Sequence, residues 1–290
     1  MSGDFRKYGA ALEELYEKLN RREYVSPDPL QFLYDYPDLR DREIVGVIAS
    51  SIAFGNVKAI VSSARKAIFS ISKPYEVVAN SNAEELERVL KGFKHRVFSP
   101  SDFAVFLAGV GAAAKKHGSI EACFRCHYRE YHNTLMETAV AVVHEVEESA
   151  RLSSGTQSFN PTSSKGFKWL LSSTSPSGAM KKWNLFLRWM VRSDAVDPGG
   201  WNGFPKSKLV IPLDTHMLRI AQHLGLTNRA AANRACALEV TEAFRSISPD
   251  DPVKYDFALT RLGIRDDCDM DAFFRNCGVD AATSSAKRGG

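Results

Sequence analysis

Apolar residues recur at helical spacing along most of this chain, and that periodicity constrains its fold more than any other feature. The clearest stretch runs over 41–72, where a three-to-four-residue repeat continues on both sides of Phe54-Gly55-Asn56. The repeat consists of Ile44, Val45, Ile48 and Ile52, then Val57, Ile60, Val61, Ala64 and Ile68. Two buried helices joined at Gly55 are therefore predicted. No segment favours a strand, so the predicted fold class is all-α.

Proline, glycine and short polar runs separate the other predicted helices. These cover 5–22, 30–36, 82–90, 103–116, 120–131, 132–152, 165–171, 228–247 and 253–264. Residues 1–290 are predicted to form a single unit with two helical lobes, approximately 38–152 and 165–280. The polar loop 153–164 is the predicted hinge. Residues 1–37 are expected to pack as N-terminal helices, and 281–290 to form a disordered tail.

Composition limits the classes of protein to which the chain can belong. Its 290 residues carry a net charge of +4, which is compatible with a nucleic-acid partner without requiring one. There is no apolar run of about 18 residues and no signal peptide, so neither a membrane span nor secretion is predicted. Five cysteines, an odd number, argue against a disulfide framework. We therefore expect a cytoplasmic protein with reduced thiols, and nothing in the sequence demands more than a monomer.

The cysteines do not predict a metal site. Cys123-x-x-Cys126 with His127 and His132 has part of a zinc-binding pattern, but no second cysteine pair follows at a suitable spacing. Cysteines buried in helices are the favoured interpretation. Neither a Walker loop nor a GxGxxG or GxSxG sequence occurs, so nucleotide binding and serine hydrolysis gain no support.

The segment 175–225 contains the residues best suited to chemistry. Lys181 and Lys182 begin a predicted helix rich in apolar and aromatic residues, so one lysine is expected to lie against a hydrophobic wall. The helix dipole and desolvation both favour the neutral amine that a lysine nucleophile requires. Some thirty residues later, Asp214 opens another helix. The lysines can equally be solvated surface charges and Asp214 a helix cap, but together they suit a Schiff-base site.

Four stretches resemble the helix-hairpin-helix DNA glycosylase superfamily. The most specific is IPLDTHMLRIAQHLGL, which resembles the motif that contains the catalytic aspartate of that family, here Asp214. REIVGVIASSIAFGNVKAIV, SPSGAMKKWNLFLRWM and DPVKYDFALTRLGIRDDC resemble, in order, its early core helix, its hairpin with the lysine helix and a late helix. The chain is most similar to the archaeal 8-oxoguanine glycosylase branch, and as a whole also to a prokaryotic domain family of unknown function.

The resemblance implies two helical lobes with a helix-hairpin-helix motif and an active site between them. It implies a nucleoid-associated DNA repair enzyme, a glycosylase and AP lyase that excises 8-oxoguanine from double-stranded DNA without a cofactor. Lys181 and Asp214 would be catalytic. The implied substrate-binding residues are Phe54, Gly55, Asn56, Phe186 and Asp256. The implied DNA-binding residues are Ser177, Gly178, Ala179, Lys182, Arg188 and Arg219, with Arg192 as a further candidate for the basic surface.

The chain also departs from the commonest members of that superfamily. Its hairpin does not read LPGVG, and Lys181 lies three positions after Gly178 and unusually far from Asp214. The absence of a cysteine quartet excludes an iron–sulfur cluster from the prediction. Lys182 is the alternative nucleophile. Two other functions stay open: a glycosylase without lyase activity that acts on another damaged base, and a non-catalytic helix-hairpin-helix module that binds DNA.

Overall fold

The computed structural model of the protein describes residues 4–153, 164–172, 177–265 and 267–279. Over these residues it is built from helices without a sheet, which confirms the predicted all-α class. The α-helices are α1 Gly9–Leu19, α2 Leu39–Ile52, α3 Val57–Phe69, α4 Pro74–Asn80, α5 Ala83–Val89, α6 Pro100–His117, α7 Ile120–His127, α8 Leu135–Ser153, α9 Lys165–Leu171, α10 Lys181–Val191, α11 Thr215–His223, α12 Arg234–Arg245, α13 Asp256–Leu262 and α14 Met270–Asn276. Short 3-10 helices cover Phe5–Tyr8, Arg22–Tyr24, Pro29–Asp35 and Lys206–Lys208.

Most of the predicted helices are present, with shorter ends. The predicted helix 228–247 begins only at Arg234, because Asn233 accepts the cap hydrogen bond from the Cys236 amide. Helices α4 and α14, which are only seven residues each, were not predicted. The predicted hinge 153–164 lies, apart from its two end residues, outside the described residues, and so does the predicted tail 281–290.

Helix α6 is a centre of packing, because α4, α5, α7, α8 and α9 all contact it. Two glycines of α6 permit close contacts with α8 and α4. A Cβ atom at Gly109 would lie 2.4 Å from the Val146 carbonyl oxygen on α8, and one at Gly111 would lie 2.0 Å from the Val78 carbonyl oxygen on α4. Larger residues at these two positions would therefore force the helices apart.

Helices α2 and α10 pack against each other although they are far apart in sequence. Gly46 on α2 lies under the Phe186 ring of α10, where a Cβ atom would be 3.0 Å from the ring. This packing brings the end of α2, at Ala53, next to the first residue of α10, Lys181.

Helix α13 links the last part of the chain to both its beginning and its centre, because α1 and α11 both pack on it. Lys254 and Tyr255, just before α13, bind the Glu13 carboxylate of α1 at 2.7 and 2.6 Å. Among the described residues, none of the helices combines the length and apolarity needed to cross a lipid bilayer.

Candidate active site

Lys181 and Asp214, 33 positions apart in the sequence, form an ion pair. The Lys181 Nζ atom lies 2.9 Å from Asp214 Oδ2 and donates a hydrogen bond of 3.1 Å to the Ala53 carbonyl oxygen. Their side chains are 28% and 37% exposed, respectively, so both are accessible to a ligand. The two residues singled out for catalysis are thus brought together.

Asp214 is held by the helix that it caps. Its Oδ1 atom accepts hydrogen bonds of 2.9 Å from the amides of His216 and Met217 at the start of α11, which leaves Oδ2 directed at Lys181. Burial raises the pKa of Asp214, but the Lys181 charge and the Met217 amide outweigh burial, and the net pKa is below its usual value. Asp214 is therefore an ionised carboxylate at neutral pH, and its capping role coexists with the ion pair.

The start of α10 is fixed by an unusual backbone conformation. Met180, which precedes Lys181, has a left-handed φ of 50° and a buried side chain. The preceding residues 177–178 are tied to the start of α12, since the Ser177 carbonyl accepts a 2.7 Å hydrogen bond from the Arg234 amide and Gly178 forms a bridge with Asn233. Gly178 and Ala179 line the same cavity as Lys181, and Ser177 is exposed.

Lys182 lies in a different environment from Lys181. Its side chain is buried and its Nζ atom lies 3.4 Å from the centre of the Trp169 ring, where it donates hydrogen bonds to the carbonyls of Trp169 and Leu170. Burial lowers the pKa of Lys182 well below its usual value. Its prediction as a DNA-binding residue is wrong, because its buried Nζ atom is already bound to protein carbonyls. Lys182 is therefore the desolvated lysine, whereas Lys181 is the lysine with a carboxylate partner.

A cavity of about 830 Å³ opens beside the Lys181–Asp214 pair. Phe54 and Trp169 form an aromatic wall, with ring centroids 4.0 Å apart, and His95 lies edge-on to Phe54 at 4.7 Å. Phe54 and Gly55 line the cavity, and their predicted contacts with substrate stay predictions. Trp169 was missed, since a tryptophan within an apolar helix carries no sequence signal that separates a cavity wall from core packing.

The turn between α2 and α3 borders this cavity. Gly55 has a left-handed φ of 101°, which favours glycine. A Cβ atom there would lie 2.3 Å from the end of the Arg96 side chain, which would have to move. Asn56 is exposed and caps α3 by accepting a 3.0 Å hydrogen bond from the Lys58 amide. It is not among the described residues lining the cavity, and its predicted substrate contact stays a prediction.

Arg188 belongs to a buried ion network and not to a DNA-binding surface. Its guanidinium is 4% exposed and lies 2.5 Å from Asp256 Oδ2 and 3.0 Å from Asp197 Oδ1. Arg192, also buried, binds the other oxygen of Asp197 at 3.0 Å and also contacts Asp194. The predicted DNA contacts of Arg188 and Arg192 are wrong, because both guanidinium groups form buried ion pairs with carboxylates of the protein. Asp256, predicted to bind substrate, lines the cavity, but its carboxylate is already bound by Arg188.

Two predicted contacts remain, that of Phe186 with substrate and that of Arg219 with DNA. Phe186 is fully buried between Gly46, Phe124 and Trp201 and is not among the described residues lining the cavity, so its predicted substrate contact is wrong. Arg219 lies exposed on α11, the helix that Asp214 caps. It is available for a DNA phosphate, and its predicted contact stays a prediction.

Residues 28–265 match the family model described as "Protein of unknown function (DUF2400)". Neither the curated proteins nor the solved structures contain a match to the chain.

Proposed function

We propose that this chain, which belongs to the DUF2400 family, is a DNA glycosylase and AP lyase that excises oxidised guanine through a Schiff base on Lys181. One observation carries the proposal: a lysine amine lies 2.9 Å from an ionised carboxylate on the wall of a cavity of about 830 Å³. That volume falls within the range of about 300–1,000 Å³ that small-molecule sites occupy. Because a nucleobase in a duplex is stacked, the damaged nucleotide must first leave the helix and enter the cavity.

In the proposed reaction, Lys181 Nζ attacks C1′ of the extruded nucleotide and the C1′–N9 bond electrons leave with the base. The Lys181 ammonium must first lose its proton to solvent, so the ion pair with Asp214 opens when substrate binds. Asp214, whose Oδ1 atom accepts hydrogen bonds from the His216 and Met217 amides whether or not Lys181 is paired, stabilises the positive charge that develops on the sugar. The aminal then opens to the Schiff base, and loss of the C2′ proton expels the 3′ phosphate.

The rest of the cavity supports recognition of a planar aromatic ligand. Phe54 and Trp169 offer faces on which a base can stack, an interaction worth about 1–3 kcal/mol per base in single-strand complexes. Lys168, which is exposed and lines the cavity, and exposed Arg219 are placed to contact phosphates. The choice of oxidised guanine rests on the resemblance of the Asp214 motif to the glycosylase family.

The test is borohydride trapping on duplex DNA that carries a single 8-oxoguanine. Borohydride reduces a Schiff base to a stable amine, so wild-type protein should give a covalent protein–DNA adduct. Lys181→Gln should abolish the adduct, whereas the neighbouring variant Lys182→Gln is the matched control and should retain it provided that it folds. Circular dichroism and DNA affinity should be compared for all three proteins.

The outcomes separate the alternatives. An adduct lost only in Lys182→Gln would refute the assignment of Lys181 while retaining the Schiff-base chemistry. Base release without an adduct, abolished by Asp214→Asn, would indicate a glycosylase without lyase activity. DNA binding with neither product on a panel of damaged bases would refute an enzyme and favour a binding module.

A further inference from the structure

Four side chains that can bind metal converge at a second place, where α6, α7 and α8 meet. His117 is the last residue of α6, Cys123 and His127 lie on α7, and Glu145 lies on α8. One potential ligand atom from each residue lies within 4.8 Å of every other. None of the four is among the described residues that line the Lys181–Asp214 cavity, so this cluster is a separate feature.

The local sequence explains how the cluster assembles. Cys123 and His127 are four residues apart, which places them on the same face of α7. Gly118, with a left-handed φ of 94°, turns the chain directly after His117, and the Ser119 hydroxyl then caps α7 by accepting a 2.9 Å hydrogen bond from the Ala122 amide. The turn brings the end of α6 beside the residues of α7.

Glu145 is the hub of the cluster. Its Oε1 atom lies 2.8 Å from His117 Nε2, and its Oε2 atom lies 2.5 Å from His127 Nε2 and 3.8 Å from Cys123 Sγ. The side chains of Glu145 and His117 are only 12% and 15% exposed, and Cys123 is buried. A carboxylate, a thiol and two imidazoles thus enclose a small, mostly sheltered volume.

We propose that His117, Cys123, His127 and Glu145 form a structural zinc site. Zinc binds imidazole nitrogen and carboxylate oxygen at about 2.0–2.2 Å and thiolate at about 2.3 Å, which places tetrahedral ligand atoms about 3.3–3.8 Å apart. Atoms that already lie within 4.8 Å can reach that spacing through side-chain rotations. The four protein ligands fill a tetrahedral shell and leave no position for substrate, which is typical of a structural site.

Zinc binding would exchange one set of interactions for another. The hydrogen bonds between Glu145 and the two histidines give way to metal–ligand bonds, and the Cys123 thiol releases its proton to solvent. The resulting thiolate and the Glu145 carboxylate neutralise the two positive charges of the ion. Lys116, whose Nζ atom lies 2.7 Å from Glu145 Oε1, can keep that contact while Oε2 binds the metal.

The sequence spacing alone points to different partners. Cys123-x-x-Cys126 suggests a cysteine pair, but Cys126 is exposed and is not in the cluster. Glu145 and His117 come from flanking helices and follow no spacing rule. The competing explanation is a metal-free network, in which Lys116 and the histidines only satisfy a partly buried carboxylate.

Metal content and cobalt spectroscopy of the untagged, full-length protein distinguish these explanations. Protein reconstituted with zinc and dialysed should retain about one ion per chain, measured by inductively coupled plasma mass spectrometry, as expected for one tetrahedral site. With Co²⁺ in place of zinc, it should show the visible bands of tetrahedral cobalt and a thiolate-to-cobalt charge-transfer band. Cys123→Ser should lose the charge-transfer band and at least about tenfold in metal affinity.

Cys126→Ser is the matched control, since it removes an exposed thiol from the same helix without touching the cluster. It should keep both the metal content and the cobalt bands of the wild type. If Cys123→Ser does not fold, His127→Gln tests the same site, and the wild-type cobalt spectrum is informative without any variant. Wild-type protein that retains no stoichiometric metal, or a charge-transfer band that persists in Cys123→Ser, would overturn the zinc site.

Discussion

Replacing Arg188 by methionine is expected to lower the free energy of unfolding by about 3–5 kcal/mol at neutral pH, the usual effect of removing one partner from a buried ion pair. The substitution retains much of the side-chain volume and removes the charge. Asp256, only 4% exposed, loses its 2.5 Å contact, while Asp197 keeps the 3.0 Å contact with Arg192. The larger part of the loss should therefore come from Asp256.

The loss should depend on pH. Burial raises the pKa of Asp256 even beside Arg188, which lowers it, so the pKa rises further when the guanidinium is removed. A carboxyl with a raised pKa binds more protons in the folded state, and its penalty grows as pH rises through that pKa. The difference between wild type and variant should thus be larger at about pH 8 than at about pH 5.

Urea denaturation at both pH values measures the effect by linear extrapolation. Arg219→Met is the matched control, because the same substitution at an exposed position should change the stability by no more than about 0.5 kcal/mol. Adding Asp256→Asn to Arg188→Met should recover part of the loss, as expected for residues in contact. A loss below about 1 kcal/mol together with weakened DNA binding would refute the buried network and return Arg188 to the DNA-binding surface.

Two further predictions concern the neighbourhood of Asp214. Gly263→Ala should destabilise the protein by about 1–3 kcal/mol and weaken trapping, because the added Cβ atom would lie 1.9 Å from His216 Nε2. Gly9→Ala, whose Cβ atom would have its nearest neighbour at 3.7 Å, is the control in thermal denaturation. Equal stability of the two variants would contradict the packing of Gly263 against His216. Asp214→Asn keeps the helix cap and removes the charge. Because the folded-state pKa of Asp214 is lowered, the stability it contributes is present above its unfolded pKa and is lost as pH falls through the folded pKa. The wild-type advantage over Asp214→Asn should therefore be constant between about pH 5 and 8 and shrink below about pH 4, and an advantage that grows on acidification would contradict the ion pair.

The helical class and the positions of Lys181 and Asp214 at helix starts could be predicted from the sequence alone. Helical periodicity is a local property, and so is the placement of Asp214 at a helix start, where its short carboxylate reaches the free amides of the first turn. The same holds for Lys181 at the first position of α10. These features depend on neighbours within a few residues, so they could be predicted without knowledge of the packing.

The tertiary structure decided which charged residues face solvent and which are enclosed. Lys181 and Lys182 are adjacent and chemically identical, yet a rotation of about 100° between successive helix positions turns one towards Asp214 and the other under Trp169. Arg188 looks like a surface residue until α13 and the loop after α10 bring two carboxylates to it. The cluster of His117, Cys123, His127 and Glu145 likewise exists only because three helices meet. Burial and long-range partners depend on contacts between distant parts of the chain, and no local pattern of residues records those contacts.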